Sequence, residues 1–509
     1  MDTQVPAALN NTHPQWWKDP GLRKLNLLLA GCMLGSVGFG YDASLINGLL
    51  SNSRWFSELG LKGSTMEGIM TAAQSFGAIA ALMPAAYLSD LIGRRQTILI
   101  SNIAIIAAAI GQSFSHTVSA FLGTRLVIGF FEICVLVSTN ALVSELSHPR
   151  QRAQVTALGN TFFYIGGITA AWTSFGSYFI TSSWTWRLPV LMQCCWPVGQ
   201  NIVVAFMPES PRWYLTQGCH AKAKEIFIKY HANGVLNDEL AEIEYRKAEI
   251  SVEAEEQGAS YNWLALFSNI GNIKRSILTI FLGLSSQWVG NGIVSYYLSP
   301  ILEAVGVGSA SQQLAINGGL QIFNWVMAIP GALLAERLGR VRLLLISACG
   351  MLIFMVLVTA SSAVYEADGN KRAGQAVIAF LFCFFGSYDL GYTPIPPLYV
   401  TEIASTHLRA KYISLYWMST AVALCFNQFV NPIAFDAIHW HYYIVYIGVL
   451  CPVIVVLVFH APETKGRTLE EVAWIFDRGI ADSRVRGNGD AGADADPKPE
   501  VVVEQREYA

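Results

Sequence analysis

The chain has 509 residues, of which 53% are hydrophobic and only 14% charged, and its mean hydropathy is +0.40. A soluble globular domain carries about a quarter charged residues, so the composition excludes one and points to a polytopic helical membrane protein. The net charge of −3 comes without a concentrated basic face, which excludes nucleic acid as a partner.

In chain order, residues 1–24 are polar, carry Trp16, Trp17, Lys18, Arg23 and Lys24, and read as a cytoplasmic segment. No cleavable signal peptide is expected there, so the first span acts as its own targeting signal. Apolar runs of about twenty residues, the length that crosses roughly 30 Å of hydrocarbon, predict spans near 25–49, 66–88, 96–114, 118–144, 153–180 and 187–207. A polar linker follows at 208–275, where "AKAKEIFIKYHANG" and "NDELAEIEYRKAEISVEAEEQ" have the pattern of short amphipathic surface helices. Further spans are predicted near 276–302, 313–335, 341–363, 373–400, 410–434 and 441–460. Residues 461–509 form a cytoplasmic tail, disordered after about 478 where Gly, Asp, Ala and Pro dominate. The expected fold is an all-α membrane protein with twelve transmembrane helices in two six-helix bundles, 25–207 and 276–460.

Most of the nine cysteines (Cys32, Cys134, Cys194, Cys195, Cys349, Cys383, Cys425, Cys451) fall inside these spans and form no CxxC pair or Cys/His cluster. They read as small apolar packing residues; no metal and no cofactor is expected. Lys and Arg concentrate on one side of the predicted membrane, as at Arg94, Arg95, Arg150, Arg152, Arg337, Arg340, Arg342, Arg409 and Lys411. Both termini are therefore predicted cytoplasmic.

The halves repeat one another. "DLIGRR" (90–95) is matched by "ERLGR" (336–340), "SELSHPRQRA" (144–153) by "TEIASTHLRA" (401–410), and "PESPR" (208–212) by "PETKGR" (462–467). Such repeats predict two bundles that rock about a midplane site. Asp90, Arg94, Arg95, Glu145, Arg152, Glu209, Glu336, Arg340, Glu402, Arg409 and Glu463 are expected to form a cytoplasmic salt-bridge network that closes the inner mouth and breaks as it opens. Exposed pairs are individually weak, so a latch has to be a network; the alternative is that these residues cap helices and fix topology.

Four charged residues lie within predicted spans: Asp42, Arg125, Glu132 and Asp389. A charge at that depth costs roughly 2.5–3.5 kcal/mol on insertion scales, which marks each as functional or paired. Arg125 and Glu132 are seven residues apart on one helix and share a face. The stretch "GYTPIPP" (391–397), with Gly391, Pro394, Pro396 and Pro397, breaks a helix and frees backbone groups, so it is a candidate hinge or gate, or else a fixed kink. Amides such as Gln287, Asn291 and Asn324 both donate and accept, as hydroxyl recognition requires, although membrane amides also join neighbouring helices. Trp288 and Trp325 offer flat faces for a pyranose ring, or packing surface.

Together "GYD" (40–42), "DLIGRR", "TRLVIG" (124–129), "PESPRW" (208–213), "QWVGNGIVSYY" (287–297), "ERLGR", "TPIPPLYVTE" (393–402) and "PETKGRTLEE" (462–471) resemble the sugar porter family of the major facilitator superfamily, in its order and across both halves. "YHANG" (230–234) and "QWVGNG" are most similar to the fungal lactose permease and cellodextrin transporter branch. The resemblance implies a sugar site at Gln287 and Asn324 and outer-gate tyrosines at Tyr296 and Tyr297; the family's seventh-helix asparagine falls on Gly292, with Asn291 next to it, and its fifth-helix glutamine on Ile168, although that helix is polar through Asn160, Thr161 and Tyr164. It also implies that Asp42 and Arg125 match the aspartate–arginine pair of proton-coupled members, with Glu132 as a second partner of Arg125 or part of the proton path. Pro397 stands where the family has a tryptophan, which leaves room for a disaccharide. The expected function is proton-coupled uptake of a disaccharide or hexose by a monomer in the lipid bilayer of the plasma membrane. A carrier of a polyol or quinate-like metabolite, or a sugar sensor, is the alternative; an enzyme is not expected.

Overall fold

The computed structural model describes residues 16–61, 63–258, 263–404, 408–466, 471–472 and 474–476. The side chains of Arg152, Asn160 and Glu336, and the tail expected to be disordered, lie outside the described residues. Among the described residues the chain is helical throughout, and ten stretches are long and apolar enough to cross a membrane. One of these, Lys411–His460, is long enough to hold two spans, Arg409–Ile438 and Tyr442–His460. Arg152–Tyr178 is helical too, but its run of Asn, Thr and Gly leaves it less apolar. The twelve spans are thus Pro20–Leu50, Ser64–Ile92, Arg94–Ser113, Val118–Leu146, Arg152–Tyr178 and Trp184–Ala205, then Ile270–Ala304, Ala310–Leu338, Arg340–Asp368, Lys371–Ile403, Arg409–Ile438 and Tyr442–His460.

Two spans start earlier than hydropathy predicts because polar caps extend them. Asp19 accepts from the Leu22 N–H at 3.0 Å and Pro20 occupies the first turn, so the first helix begins before its apolar run. Asn269 does the same for the seventh by accepting from Asn272 N–H at 2.7 Å. Between the halves, Pro211–Thr216, His220–His231 and Glu239–Gly258 form a helical linker.

The linker docks on the first half through the residues of "YHANG". The ring of His231 sits between Glu244 Oε2 (2.6 Å) and Leu146 O, the last carbonyl of the fourth span (3.0 Å). Asn233 accepts from Gly21 N–H and donates to Asp19 Oδ2. The end of each bundle on this side is called the linker end below, and the other the far end.

Within the first half, glycines bring the second and fourth spans into backbone contact. A Cβ at Gly129 would lie 2.0 Å from Gln74 O, and one at Gly77 2.0 Å from Leu126 O. No larger residue fits without separating the helices. The second half is organised around one continuous apolar cluster. A far-end cluster of the first half (Tyr41, Leu45, Trp55, Trp186, Val190) is covered in part by Tyr296 of the seventh span, so the halves meet there.

Candidate functional site

The close approach of the second and fourth spans sets up the first element of the site. Asp42, Arg125 and Glu132 are all buried, and Gln74 of the second span lies among them. Its amide donates to Glu132 Oε2 at 2.6 Å and accepts from Arg125 Nη2 at 2.9 Å. The Asp42 and Glu132 carboxyls are electrostatic neighbours, and Asp42 Oδ1 and Glu132 Oε1 meet no hydrogen-bond partner among the described residues. The expected direct Asp42–Arg125 pair is not formed among the described residues: the guanidinium is held on Gln74. Arg125 and Glu132 do share a face, as their spacing predicts, but an amide separates them. Gln74 had only one sequence signal, an amide three residues before Gly77 in an apolar span.

The second element is where the halves touch. Asn47 Nδ2 donates to Ser295 O, and the Ser51 and Ser299 hydroxyls bond to one another, joining the far ends of the first and seventh spans. Ser64 donates to Asp436 Oδ2 at 3.1 Å, and the Ser75 hydroxyl to Gln428 Oε1, joining the second and eleventh. Nearer the middle, Tyr164 O–H reaches Asp389 Oδ1 at 3.0 Å and Thr393 Oγ1 at 3.3 Å, joining the fifth and tenth. Asp389 also accepts from Thr393 at 2.8 Å. Asn324, its amide oriented to satisfy both groups, donates to Asp389 Oδ2 at 3.3 Å and to Leu320 O at 3.2 Å. Asp389 is thus the hub of a midplane network spanning both halves.

The helix breaks fall at the same depth. The tenth span is interrupted between Gly391 and Ile395, with Pro394 as cap and Pro396 and Pro397 in the next turn. A Cβ on Gly391 would lie 2.6 Å from Ser347 Cβ, so the break is packed tightly on the ninth span. The seventh span is interrupted at Gly290, whose φ of +105° is a left-handed conformation suited to glycine, so that Asn291 opens a new helix.

Of the other predicted site residues, Asn291 is buried and its Oδ1 meets no partner among the described residues. Gln287 is half-buried, with its carbonyl accepting from Asn427. Tyr297 is buried and donates to Gln428 O. Trp288 is engaged with the eleventh span, its Nε1 bonded to Ala423 O at 3.3 Å and its ring 5.6 Å from Phe426, while Trp325 is half-buried.

Residues 28–476 match the model of a family described as sugar (and other) transporter. The chain belongs to that family. Relatives of the transporter include an MFS-type transporter of Aspergillus oryzae, oryC, 25% identical over 448 residues that cover 85% of this chain and 82% of that one. They also include a low-affinity glucose transporter of Saccharomyces cerevisiae, HXT4, 27% identical over 477 residues covering 88% and 81%. The fold is that of the xylose transporter XylE from E. coli in an inward-open conformation, with a TM-score of 0.72, 18% identity, and coverage of 89% of this chain and 99% of that one. These relatives are transporters, and the protein is a multi-pass membrane protein of the major facilitator superfamily, not an enzyme.

The transporter's linker-end motifs assemble into two matching clusters. Arg94 pairs with Asp90 at 2.9 Å and with Glu145 at 3.3 Å; Arg340 pairs with Glu402 at 2.8 Å. The Ser210 hydroxyl bonds to Glu145, and that of Thr464 to Glu402. Glu209 accepts from Arg95 N–H at 3.0 Å and caps the third span. Glu463 caps the ninth by accepting from Arg340 N–H at 2.8 Å and Val341 N–H at 3.1 Å. Gly93 and Gly339 make room for these carboxylates, since a Cβ there would lie 2.5 and 2.7 Å from their oxygens. The expected latch across the inner mouth is therefore corrected: each of these contacts stays within one bundle, because the glutamate that follows the sixth or twelfth span folds back onto its own half. Arg409 does not join, its buried Nε and Nη2 meeting no partner among the described residues.

Proposed function

We propose that the transporter carries a sugar, a disaccharide or a hexose, together with a proton, across the plasma membrane by alternating access, with the linker and both termini in the cytoplasm. The concentration of Lys and Arg at the linker end supports the orientation. The proton reading is supported by one observation: two buried carboxyl groups, Asp42 and Glu132, neighbour one another in the first bundle with the buried Arg125. Two neighbouring buried carboxyl groups disfavour double ionisation, which suits one of them to carry a proton. An aspartate's hold on that proton depends on its hydration and its distance from a guanidinium. Rocking the bundles changes both for Asp42, so each cycle takes up a proton on one side and releases it on the other.

Membership of the family and the neutral amides at Gln287, Asn291 and Asn324 support a hydroxyl-rich substrate. Binding between the second half's amides and Tyr164 draws the halves together around Asp389, and the break at Gly391–Pro397 lets the linker-end part of the tenth span swing. Asp42→Asn in proteoliposomes is expected to abolish accumulation driven by a pH gradient while sugar counterflow persists. Undiminished accumulation overturns the proton reading. Counterflow absent from the wild-type protein across a panel of mono- and disaccharides overturns the sugar reading.

A further inference from the structure

The linker carries a titratable pair at its dock that the proposed transport cycle does not use. Helix His220–His231 ends in a turn where Asn233 and Gly234 have φ of +52° and +84°, and Gly234 N–H bonds back to Ile228 O at 2.8 Å. That turn delivers Asn233 to the first span, where it accepts from Gly21 N–H at 3.0 Å and donates to Asp19 Oδ2 at 2.8 Å. It leaves the His231 ring, 2% exposed, between two acceptors. Nδ1 lies 2.6 Å from Glu244 Oε2, and Nε2 lies 3.0 Å from Leu146 O. A neutral imidazole has only one N–H to give. Both contacts are hydrogen bonds only if ring and carboxyl together hold two protons, as imidazolium beside carboxylate or as neutral ring beside carboxylic acid.

We infer that His231 and Glu244 form a proton-operated clasp, which fastens the linker to the first half at low pH and loosens it as pH rises. Removing the second proton leaves one N–H for two acceptors. Either Nδ1 then turns its lone pair on the Glu244 carboxylate, or Nε2 turns its own on Leu146 O, and burial keeps water from making good the loss. The docked form holds a proton that the undocked pair, in water, gives up more readily, so docking weakens as pH rises. The titratable and charged groups around the ring come from four directions. His148, after the fourth span, meets it edge to face at 5.1 Å, and its Nδ1 accepts from Arg150 N–H at 3.3 Å, so that nitrogen carries no proton. On Glu239–Gly258 the acidic neighbours are Glu244 and Asp238, the latter accepting from Ala241 N–H at 3.0 Å. Asp19 stands on the first-span side, held by Asn233, and on the ring's own helix Tyr230 carries Lys229 Nζ over its face at 5.7 Å. The clasp thus grips the ends of the first and fourth spans, the two that carry Asp42, Arg125 and Glu132. On the proposed orientation it reads cytoplasmic pH; the clasp itself rests on neither the sugar nor the proton reading.

The test is hydrogen exchange on the purified full-length protein at about pH 6 and about pH 8.5, which bracket the range where histidines usually titrate. Rates are corrected for the intrinsic pH dependence of exchange. Amides of residues 220–250 are expected to lose roughly tenfold in protection at the higher pH, the effect of one hydrogen bond to a charged group. Glu244→Gln separates a clasp from ordinary packing. Its amide donates to Nδ1 of a neutral ring while Nε2–H still serves Leu146 O, so the linker should stay protected at both pH values. His231→Gln, which offers Leu146 O a donor that does not titrate, should likewise remove the pH dependence, and it serves if the first variant does not fold. Wild-type protection that is the same at both pH values overturns the clasp. So does either variant if it keeps the wild-type response to pH.

Discussion

Gln74 is the residue on which the buried charge cluster turns, and its replacement by leucine isolates that role. The amide makes one bond to a carboxylate and one to a guanidinium, at 2.6 and 2.9 Å. Bonds to charged groups contribute about 1.5–3 kcal/mol each, so Gln74→Leu removes roughly 3–6 kcal/mol. Leucine returns about 1–2 kcal/mol through apolar burial, leaving a net loss of roughly 1–5 kcal/mol. At about 1.4 kcal/mol per decade, the balance between conformations that keep this bridge and those that break it moves by roughly five- to a few-thousandfold. Accumulation of labelled sugar driven by a pH gradient in proteoliposomes should collapse, with counterflow retained. In a double-mutant cycle, Glu132→Gln should already forfeit much of what Gln74→Leu costs. Additive effects within about 0.5 kcal/mol, or wild-type accumulation, would refute the bridge as the coupling element.

Gly129→Ala places a methyl 2.0 Å from Gln74 O and should lower the unfolding temperature and uncouple transport, at a cost of about 1–3 kcal/mol or more. Gly123→Ala on the same helix, with nothing within 4 Å, should be neutral or stabilising in the same melt. Burial pushes Glu209 above the ordinary carboxyl range; burial also opposes the Glu463 carboxylate, but the N–H groups of Arg340, Lys465, Arg342 and Val341 outweigh it and hold it low. A carboxyl held low adds stability above its unfolded pKa that is lost as pH falls, and one pushed up adds stability below that pKa that is lost as pH rises. Glu463→Gln should therefore cost about 0.5–2 kcal/mol at pH 7 and little near pH 4, with Glu209→Gln milder at pH 7, both read by thermal unfolding. Tyr164→Phe removes the bonds to Asp389 and Thr393 that join the halves; sugar affinity should fall about 5- to 150-fold in equilibrium binding.

The twelve spans are legible in the sequence because the bilayer demands a fixed apolar length, and the break at Gly391–Pro397 is legible because proline and glycine leave no alternative. The fifth span is the instructive case: its apolar run is diluted by Asn, Thr and Gly, so it is the weakest of the twelve by hydropathy and still forms a continuous helix. The buried charges announce themselves by their cost, but their partners do not. Gln74 is an ordinary amide until the crossing of the second and fourth spans gives it neighbours. Trp288 shows the converse, an aromatic beside the expected site whose ring is committed to the eleventh span. Linker-end charges were readable as a network, yet whether a network closes within a bundle or between bundles depends on which way the chain folds after Ala205 and His460. Sequence spacing carries no sign of that.

The duplication is kept where the two halves act as bodies and abandoned where they act as chemistry. At the linker end, Arg94, Glu145, Ser210 and Glu209 are matched by Arg340, Glu402, Thr464 and Glu463, contact for contact. Such clusters fasten the ends of several helices in one bundle, so each half moves as a unit and strain is directed to the boundary between them. At that boundary the symmetry is gone. Asp42, Glu132, Arg125 and Gln74 belong to the first half, whereas Asn291, Asn324 and Asp389 belong to the second. Tyr164 and the Asn47–Ser295 contact link the two sets. On the proposed mechanism, the proton is held by one rigid body and the substrate largely by the other. Closing the gap between them is then the one motion that both ligands can bias, which is the condition for coupling their transport.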